Sequence, residues 1–507
     1  MKSLQVEINI EADLPFRNHA DYCIGTGRMG LALRQEYLTQ LKLVQQEIGF
    51  SYIRGHGLFC DDMAIYQTYK AEDGQERVEY NFTYLDRVMD SYQELGIKPF
   101  LELGFMPEKM ASGNQTVFYW KGNVTPPKEY ERWTALVQAV LYHLMERYGT
   151  EEVITWPIEV WNEPNLSIFW KDADMEEYFQ LFAVTFNAVK SMDRRFRVGG
   201  PAICGVQDEL WIRRFLEFCE KEEIALDFVT RHHYTIDVPS SEGHYSYVDL
   251  RNPEDSLVEL ERTREIVDSV ERFRGLELHI TEFNTSYRPD SPVHDTNQNA
   301  AYLAYLLSRM GECHASYSYW TFGDVFEEQG VPFTPFHGGF GLVAYGGIPK
   351  PTFWTFRFFK ELRGRCIYKS EEALIIKRED GTYCGIVWNL NRGEDRESIN
   401  LDFSFPWQNE REYFVLTMTV DEAVCNPLKL WHDMGEPYSL TKTQLSILQE
   451  ASRPLVASDR KSAVCNTAEV NLKIGQNSVV FFELSAIQSK SDRGYDYDKV
   501  MKAKVIK

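Results

Sequence analysis

The sequence predicts an α/β protein: a closed (β/α)8 barrel followed by an accessory antiparallel β-sandwich. Three observations predict it. From about residue 31 to 363, helix-periodic segments alternate with short β-branched and aromatic runs, the pattern of parallel βα units. Several of those runs end on polar residues, as barrel strands do at the face that carries chemistry. Beyond about residue 365 the rhythm changes to short alternating strands, which fits a sandwich.

The elements follow in order. LALRQEYLTQLKLVQQEIG (31–49) reads as a helix and FSYIRGH (50–56) as a strand; YLDRVMDSYQELG (84–96) precedes the strand KPFLELGF (98–105). The helix 130–149 leads to IEVWNEPN (158–165), and the helix MEEYFQLFAVTFNAVKSM to RFRVGGPA (195–202). Further strands are LDFVTRHHY (226–234), LELHITEFN (276–284) and ASYSYWTFGD (315–324), separated by helices near 256–273 and 297–311, and PTFWTFRFFKEL (351–362) closes the series. Seven strands are clear in this pattern, and an eighth is placed loosely around 77–83. The expected division is a barrel over 15–363 and a sandwich over 364–487 with a helical insertion near 441–452. Residues 1–14 are expected to add a strand, and 488–507 form a charged tail, loose or packed on a partner subunit.

A chain of 507 residues can bury large cores, and its 44% hydrophobic and 14% aromatic content is that of a folded globular protein. A formal net charge of −22 repels phosphate backbones and anionic bilayers, which argues against nucleic-acid and membrane partners. No basic stretch followed by an apolar one opens the sequence, so the expected location is cytoplasmic. Nine scattered cysteines without a C-x-x-C pair point to neither a disulfide framework nor a zinc ribbon.

IGTGRMG places Gly25, Gly27 and Gly30 at the G-x-G-x-x-G spacing of dinucleotide-binding turns. That fingerprint needs a hydrophobic strand before it, and NHADYCI is polar and short, so no cofactor is expected and the segment is read as a loop entering or capping the barrel. The chemistry lies elsewhere. In LELHITEFN, period-2 alternation puts Leu276, Leu278, Ile280 and Glu282 on one barrel-facing row that ends in a carboxylate. In IEVWNEPN the same alternation sends Asn162 and Glu163 to opposite faces, so a bulge or the strand end must fall there if both point into the mouth. A lone glutamate at a strand end is ordinarily a solvated residue. Two of them, on the fourth and seventh strands counted, are the working parts of glycoside hydrolysis. Asn162 adds a donor for a sugar hydroxyl and Trp320 an apolar platform for the ring. His56 and His232 also end strands. With Glu282 they have the side-chain chemistry of a zinc site, but no H-E-x-x-H or comparable spacing accompanies them and no metal is expected.

With these residues in view, the chain resembles the β-xylosidases of glycoside hydrolase family 39, in the clan of retaining barrel glycosidases with acids on strands four and seven. YIRGHG (52–57), FYWKGN (118–123), EVWNEPN (159–165), VGGPAICG (198–205), VTRHH (229–233), HITEFNTSY (279–287), YWTFGDVFEE (319–328) and FHGGFGL (336–342) look like family segments in family order, over nearly the whole length. The resemblance implies Glu163 as acid/base and Glu282 as nucleophile. It also implies a sugar subsite shaped by His56, Phe118, Asn162, His232, Tyr287 and Trp320, with one acid of the Glu327–Glu328 pair holding hydroxyls. It further implies a cis peptide at Trp320–Thr321 and a homotetramer; it leaves Tyr234 without a role.

The function so implied is a retaining exo-acting β-D-xylosidase that releases xylose from the non-reducing ends of β-1,4-xylo-oligosaccharides. Two alternatives stand beside it. An α-L-iduronidase of the same family would want a basic partner for its substrate's carboxylate. A non-catalytic carbohydrate-binding protein could keep the aromatic platform but would have no use for both acids.

Overall fold

The computed structural model describes residues 2–393, 398–407, 412–488 and 494–504. Eight parallel strands close a barrel: Cys23–Gly25, Tyr52–Gly55, Lys98–Leu103, Ile158–Val160, Val198–Ile203, Phe228–Tyr234, Glu277–Asn284 and Ser316–Tyr319. They are called strands one to eight below. Tyr319 pairs with Ile24 to complete the ring.

Strand one corrects the sequence reading twice. The segment around 77–83 is not in the barrel: Glu76–Tyr80 pairs antiparallel with Tyr66–Lys70 in a separate hairpin, and a helix begins at Thr83. The missing strand is Cys23–Gly25, inside the glycine segment read as a capping loop. Three residues are too few to leave a hydrophobic run, so the pattern could not show it. Its glycines serve close approach rather than a phosphate. A Cβ on Gly25 would lie 2.4 Å from Cε3 of Trp320, and one on Gly55 of strand two would lie 2.7 Å from the Gly27 carbonyl. His56 therefore follows the second strand, not the first, while Glu163 and Glu282 stay with the fourth and seventh.

The barrel floor is apolar. Cys23, Phe100 and Phe228 cluster there, and the His279 ring packs on Phe228 and Phe100 at centroid distances of 5.1 and 6.0 Å. This reverses the face expected for the seventh strand. His279 and Thr281 point inward, Thr281 donating to Glu159 (2.8 Å), whereas Leu278 and Ile280 join the large apolar cluster shared with the helices. Glu282 still faces the interior because the register slips: Arg231 pairs with Ile280, but His232 pairs with Glu282, leaving Thr281 as the extra residue. One inserted residue flips the phase of everything after it.

A six-stranded antiparallel sheet built from Arg365–Lys369, Ala373–Lys377, Tyr383–Asn389, Glu412–Val420, Leu455–Ser462 and Ser478–Ala486 packs on a three-stranded one. In the latter, Lys2–Glu7 lies parallel to Ile399–Pro406, which pairs with Thr467–Ile474. The helix Lys442–Ala451, opened by a Thr441/Gln444 capping box, packs with Trp431 against Phe336, Ala344 and Ile348. This braces the long loop after strand eight. A buried Lys350 ammonium fixes the same loop, bonding Asp295, Asp324 and the Gly339 carbonyl at 2.7 Å each. No helix among the described residues is long and apolar enough to cross a membrane.

Gly25→Ala should force the Trp320 indole to move and cost ~1–3 kcal/mol as an overpacked site. Denaturant unfolding with tryptophan emission as the probe measures both effects; unchanged stability and emission would show that the close approach does not matter.

Candidate active site

The site is built on strand two. Arg54 is a charged residue on a strand with no exposed surface, and burying a guanidinium without partners is prohibitive. Its partners come from three other strands. Nε holds Glu159 of strand four at 2.5 Å, Nη2 holds Glu102 of strand three at 3.0 Å, and Nη1 holds Glu282 of strand seven at 2.7 Å. Nη2 also donates to Oδ1 of Asn162 (3.1 Å). The sequence reading missed Arg54, Glu102 and Glu159. A signal for each was present, since all three are charged residues inside otherwise apolar strands.

Strand four stops at Val160, and the left-handed backbone of Trp161 (φ 70°) and Glu163 (φ 44°) brings both Asn162 and Glu163 to the mouth. Trp161 anchors the turn by donating its indole N–H to the Phe169 carbonyl at 2.7 Å. Across the mouth, His232 sits between the two acids, its Nδ1 2.8 Å from Glu163 Oε1 and 3.4 Å from Glu282 Oε2. Its Nε2 lies 3.4 Å from Arg54 Nη2. A guanidinium only donates, so Nε2 accepts and the ring proton resides on Nδ1, aimed at the acids. Burial and the nearby Arg54 push the His232 pKa far down, so the ring is neutral.

The two carboxyls differ in their surroundings. Burial raises the pKa of Glu163, and the charge of Glu282 raises it further. Glu282 is raised by burial too, but Arg54, His56 and the Tyr234 hydroxyl, which donates to Oε2 at 2.8 Å, all pull it back. Of the pair, Glu163 carries the proton and Glu282 the charge. Tyr234, left without a role by the sequence, is thus a donor to Glu282. His56 bonds Glu102 through Nδ1 (2.7 Å); burial lowers its pKa to about 3 and raises that of Glu102 to about 8.

The acids open into a cavity of about 620 Å³ lined by His56, Phe118, Asn162, Tyr287, Trp320 and Glu328 among others. Trp320 lies 4.7 Å from the His56 ring and is followed by a cis peptide to Thr321. His232 lies beneath the lining, in contact with the acids. Glu327 does not reach the cavity. Its carboxylate is taken by Arg28 (3.0 Å) and Arg34, which correct its expected place among sugar-binding residues; Glu328 is the member of the pair that faces the site. Glu163, His232 and Glu282 also present ligand atoms within 4.8 Å of one another, the spacing a cation could use. In this site that spacing is occupied by the Nδ1–H bond to Glu163.

The model of glycosyl hydrolases family 39 matches residues 4–468. The chain belongs to that family. It is 47% identical over 482 residues to a β-xylosidase of Geobacillus stearothermophilus, covering 94% of each chain. To a β-xylosidase of Caldicellulosiruptor saccharolyticus it is 35% identical over 478 residues, covering 92% of each. A crystal structure described as a monomeric β-xylosidase from Caulobacter crescentus CB15 superposes with a TM-score of 0.88 at 33% identity, over 96% of this chain and 100% of that one. An ionised carboxylate and a protonated carboxyl facing one cavity can attack an anomeric carbon and protonate its leaving oxygen.

Arg54→Gln removes the cation that lowers Glu282, so the acid limb of the pH–rate profile should move to higher pH. It should also cost ~3–5 kcal/mol of stability, because carboxylates remain buried without their partner. An acid limb left in place would show that Glu282 does not depend on Arg54.

Proposed function

We propose that the protein is a retaining exo-acting β-D-xylosidase that releases xylose from the non-reducing ends of β-1,4-xylo-oligosaccharides. The observation that carries this reading is the closeness of the two acids, with an oxygen of Glu163 and one of Glu282 within 4.8 Å. A retaining pair stands ~5–5.5 Å apart, whereas an inverting pair needs ~6.5–9.5 Å to admit a water. Relatives named β-xylosidases at 47% and 35% identity support the glycone. In the first step Glu282 attacks the anomeric carbon as Glu163 protonates the leaving oxygen. Forming the ester removes the charge on Glu282, which lowers the pKa of Glu163, so that Glu163 then takes a proton from the water that releases xylose. His56, Asn162, Trp320, Phe118 and Glu328 surround the sugar ring in this reading, and Tyr287 stands at the rim.

The lining favours a neutral sugar over a uronate. Among the described residues, each arginine lining the cavity is already committed: Arg288 to Asp290 (2.9 Å), Arg251 to Glu259 (3.2 Å) and Arg231 to Glu259 (3.0 Å) and Asp208 (3.2 Å). An iduronate carboxylate would find no unpaired cation there. Nine free cysteines suit a reducing compartment, in keeping with a cytoplasmic enzyme acting on imported oligosaccharides. Assembly is a separate reading: the family resemblance implies a homotetramer, the Caulobacter relative is described as monomeric, and light scattering on the purified chain decides between them.

Glu282→Ala should abolish hydrolysis of aryl β-xylosides and recover turnover with azide, giving the inverted glycosyl azide. Glu163→Gln should lose ~10²–10⁴-fold on xylobiose but far less on a dinitrophenyl xyloside, and should lose the basic limb of its pH profile. Activity of Glu282→Ala without azide would refute the assignment.

A further inference from the structure

We propose that Glu102 works as a neutral acid: it donates its proton to Nδ1 of His56 and so holds that ring with its Nε2–H directed at Glu282 and the cavity. Glu102 is thus a positioning residue that acts through His56. What the N–H does for a sugar rests on the xylosidase reading; where the protons lie does not.

Partners alone assign the protons. His56 Nε2 lies 3.5 Å from Oε1 of Glu282 and 3.9 Å from Oε1 of Glu328. A carboxylate only accepts, and Glu282 is the ionised member of the acid pair, so a lone pair on Nε2 would face a negative charge. Nε2 therefore carries the hydrogen. Burial lowers the His56 pKa to about 3, so the ring is neutral and has one N–H only. Nδ1 is then an acceptor, and the atom 2.7 Å from it is Oε2 of Glu102. To bond there, Oε2 must bring a proton.

The far oxygen of Glu102 points the same way. A buried carboxylate needs donors on both of its oxygens. Glu159 has them, from Arg54 Nε and the Thr281 hydroxyl, and Glu282 has them, from Arg54 Nη1 and the Tyr234 hydroxyl. Glu102 does not. Its Oε2 takes both contacts, with His56 and with Arg54 Nη2 at 3.0 Å, while Oε1 is buried without a hydrogen-bond partner among the described residues. An unpartnered carbonyl oxygen costs less than an unpartnered anionic one. Other acids surround it: Glu159 is its register partner on strand four, and Glu163 and Glu328 stand close enough to feel its charge. Burial raises the Glu102 pKa to about 8 even with Arg54 pulling it down.

His56 and His232 then carry opposite tautomers for one reason. Behind His232 stands Arg54, which only donates, so the proton sits on Nδ1. Behind His56 stands a carboxylic acid, so it sits on Nε2. In each case the group behind the ring sets which nitrogen donates to the acids. A sugar hydroxyl meeting His56 and Glu282 finds one donor and one acceptor, which its own lone pair and proton satisfy. With Glu102 ionised, Nδ1–H would turn back to it and the cavity would present two acceptors.

Neutron diffraction from deuterium-exchanged crystals of the unliganded protein near pH 6.5 reads the assignment directly. The expected result is a deuteron on Oε2 of Glu102, another on Nε2 of His56 and none on Nδ1. Kinetics on 4-nitrophenyl β-D-xyloside test the consequence. Glu102→Gln supplies an amide N–H to Nδ1, so kcat should stay within about tenfold, one neutral donor replacing another, and the unfolding midpoint should hardly move. Glu102→Leu, which leaves the ring unheld, should lose about a hundredfold in kcat. A deuteron on Nδ1 with Glu102 bare, or a Gln variant as impaired as the Leu variant, would overturn the proposal. Failure of the unaltered protein to hydrolyse the xyloside would overturn the xylosidase reading instead, since the deuterons are placed without substrate.

Discussion

The structure is organised around one buried cation. Arg54 has no contact with solvent, so its charge must be answered inside the barrel, and the answers come from Glu102, Glu159 and Glu282 on strands three, four and seven. The guanidinium fork thereby fixes how far apart four of the eight strands stand at their carboxyl ends. The ion pair with Glu282 is worth more to the fold than either partner alone, which would be a stranded charge, while Glu102, raised to about 8 by burial, bonds Arg54 and His56. The same contact decides the chemistry. One cation cannot satisfy every carboxyl in the pit, and geometry gives Glu282 a direct bond to it while Glu163 receives only the neutral His232.

That asymmetry is carried outward by packing. His232 is aimed by Arg54 on one nitrogen and aims a proton at the acids with the other, so its orientation is a consequence of the cation and not of its own charge. Tyr234 adds a second donor to Glu282. On the far side, Trp320 can approach His56 because Gly25 has no side chain, and the loop bearing Glu328 is held by Lys350 between two aspartates. Accessory-domain side chains such as Trp431 and Leu448 pack on Phe336 of that loop, linking the second domain to the site without contributing a residue to it.

Much of this is legible in the sequence. The alternation of helical and extended segments gives the barrel, the change of rhythm gives the sandwich, and the strand-end acids in WNEP and HITEFN give the pair. What stayed hidden had physical reasons. Strand one is three residues long and glycine-bearing, so neither periodicity nor propensity could mark it, and its spacing mimicked a phosphate loop. The facing of strand seven was misjudged because a register shift at Thr281 reverses the alternation, which no local pattern records. Glu327 and Glu328 are adjacent and identical, and only the positions of Arg28 and Arg34 separate them. Arg54 carries a sequence signal, a charge in the middle of the strand YIRGHG, but its partners on strands three, four and seven are set only by closure of the barrel.

A retaining double displacement requires Glu282 to form a covalent bond to the sugar. Incubation with 2,4-dinitrophenyl 2-deoxy-2-fluoro-β-D-xyloside, followed by intact mass measurement and peptide sequencing, tests it most directly. The predicted result is a burst of one dinitrophenolate per chain and a single fluoroxylosyl group on the peptide carrying HITEFN, attached to Glu282. A label on any other residue, or steady turnover with inverted product and no adduct, would contradict it.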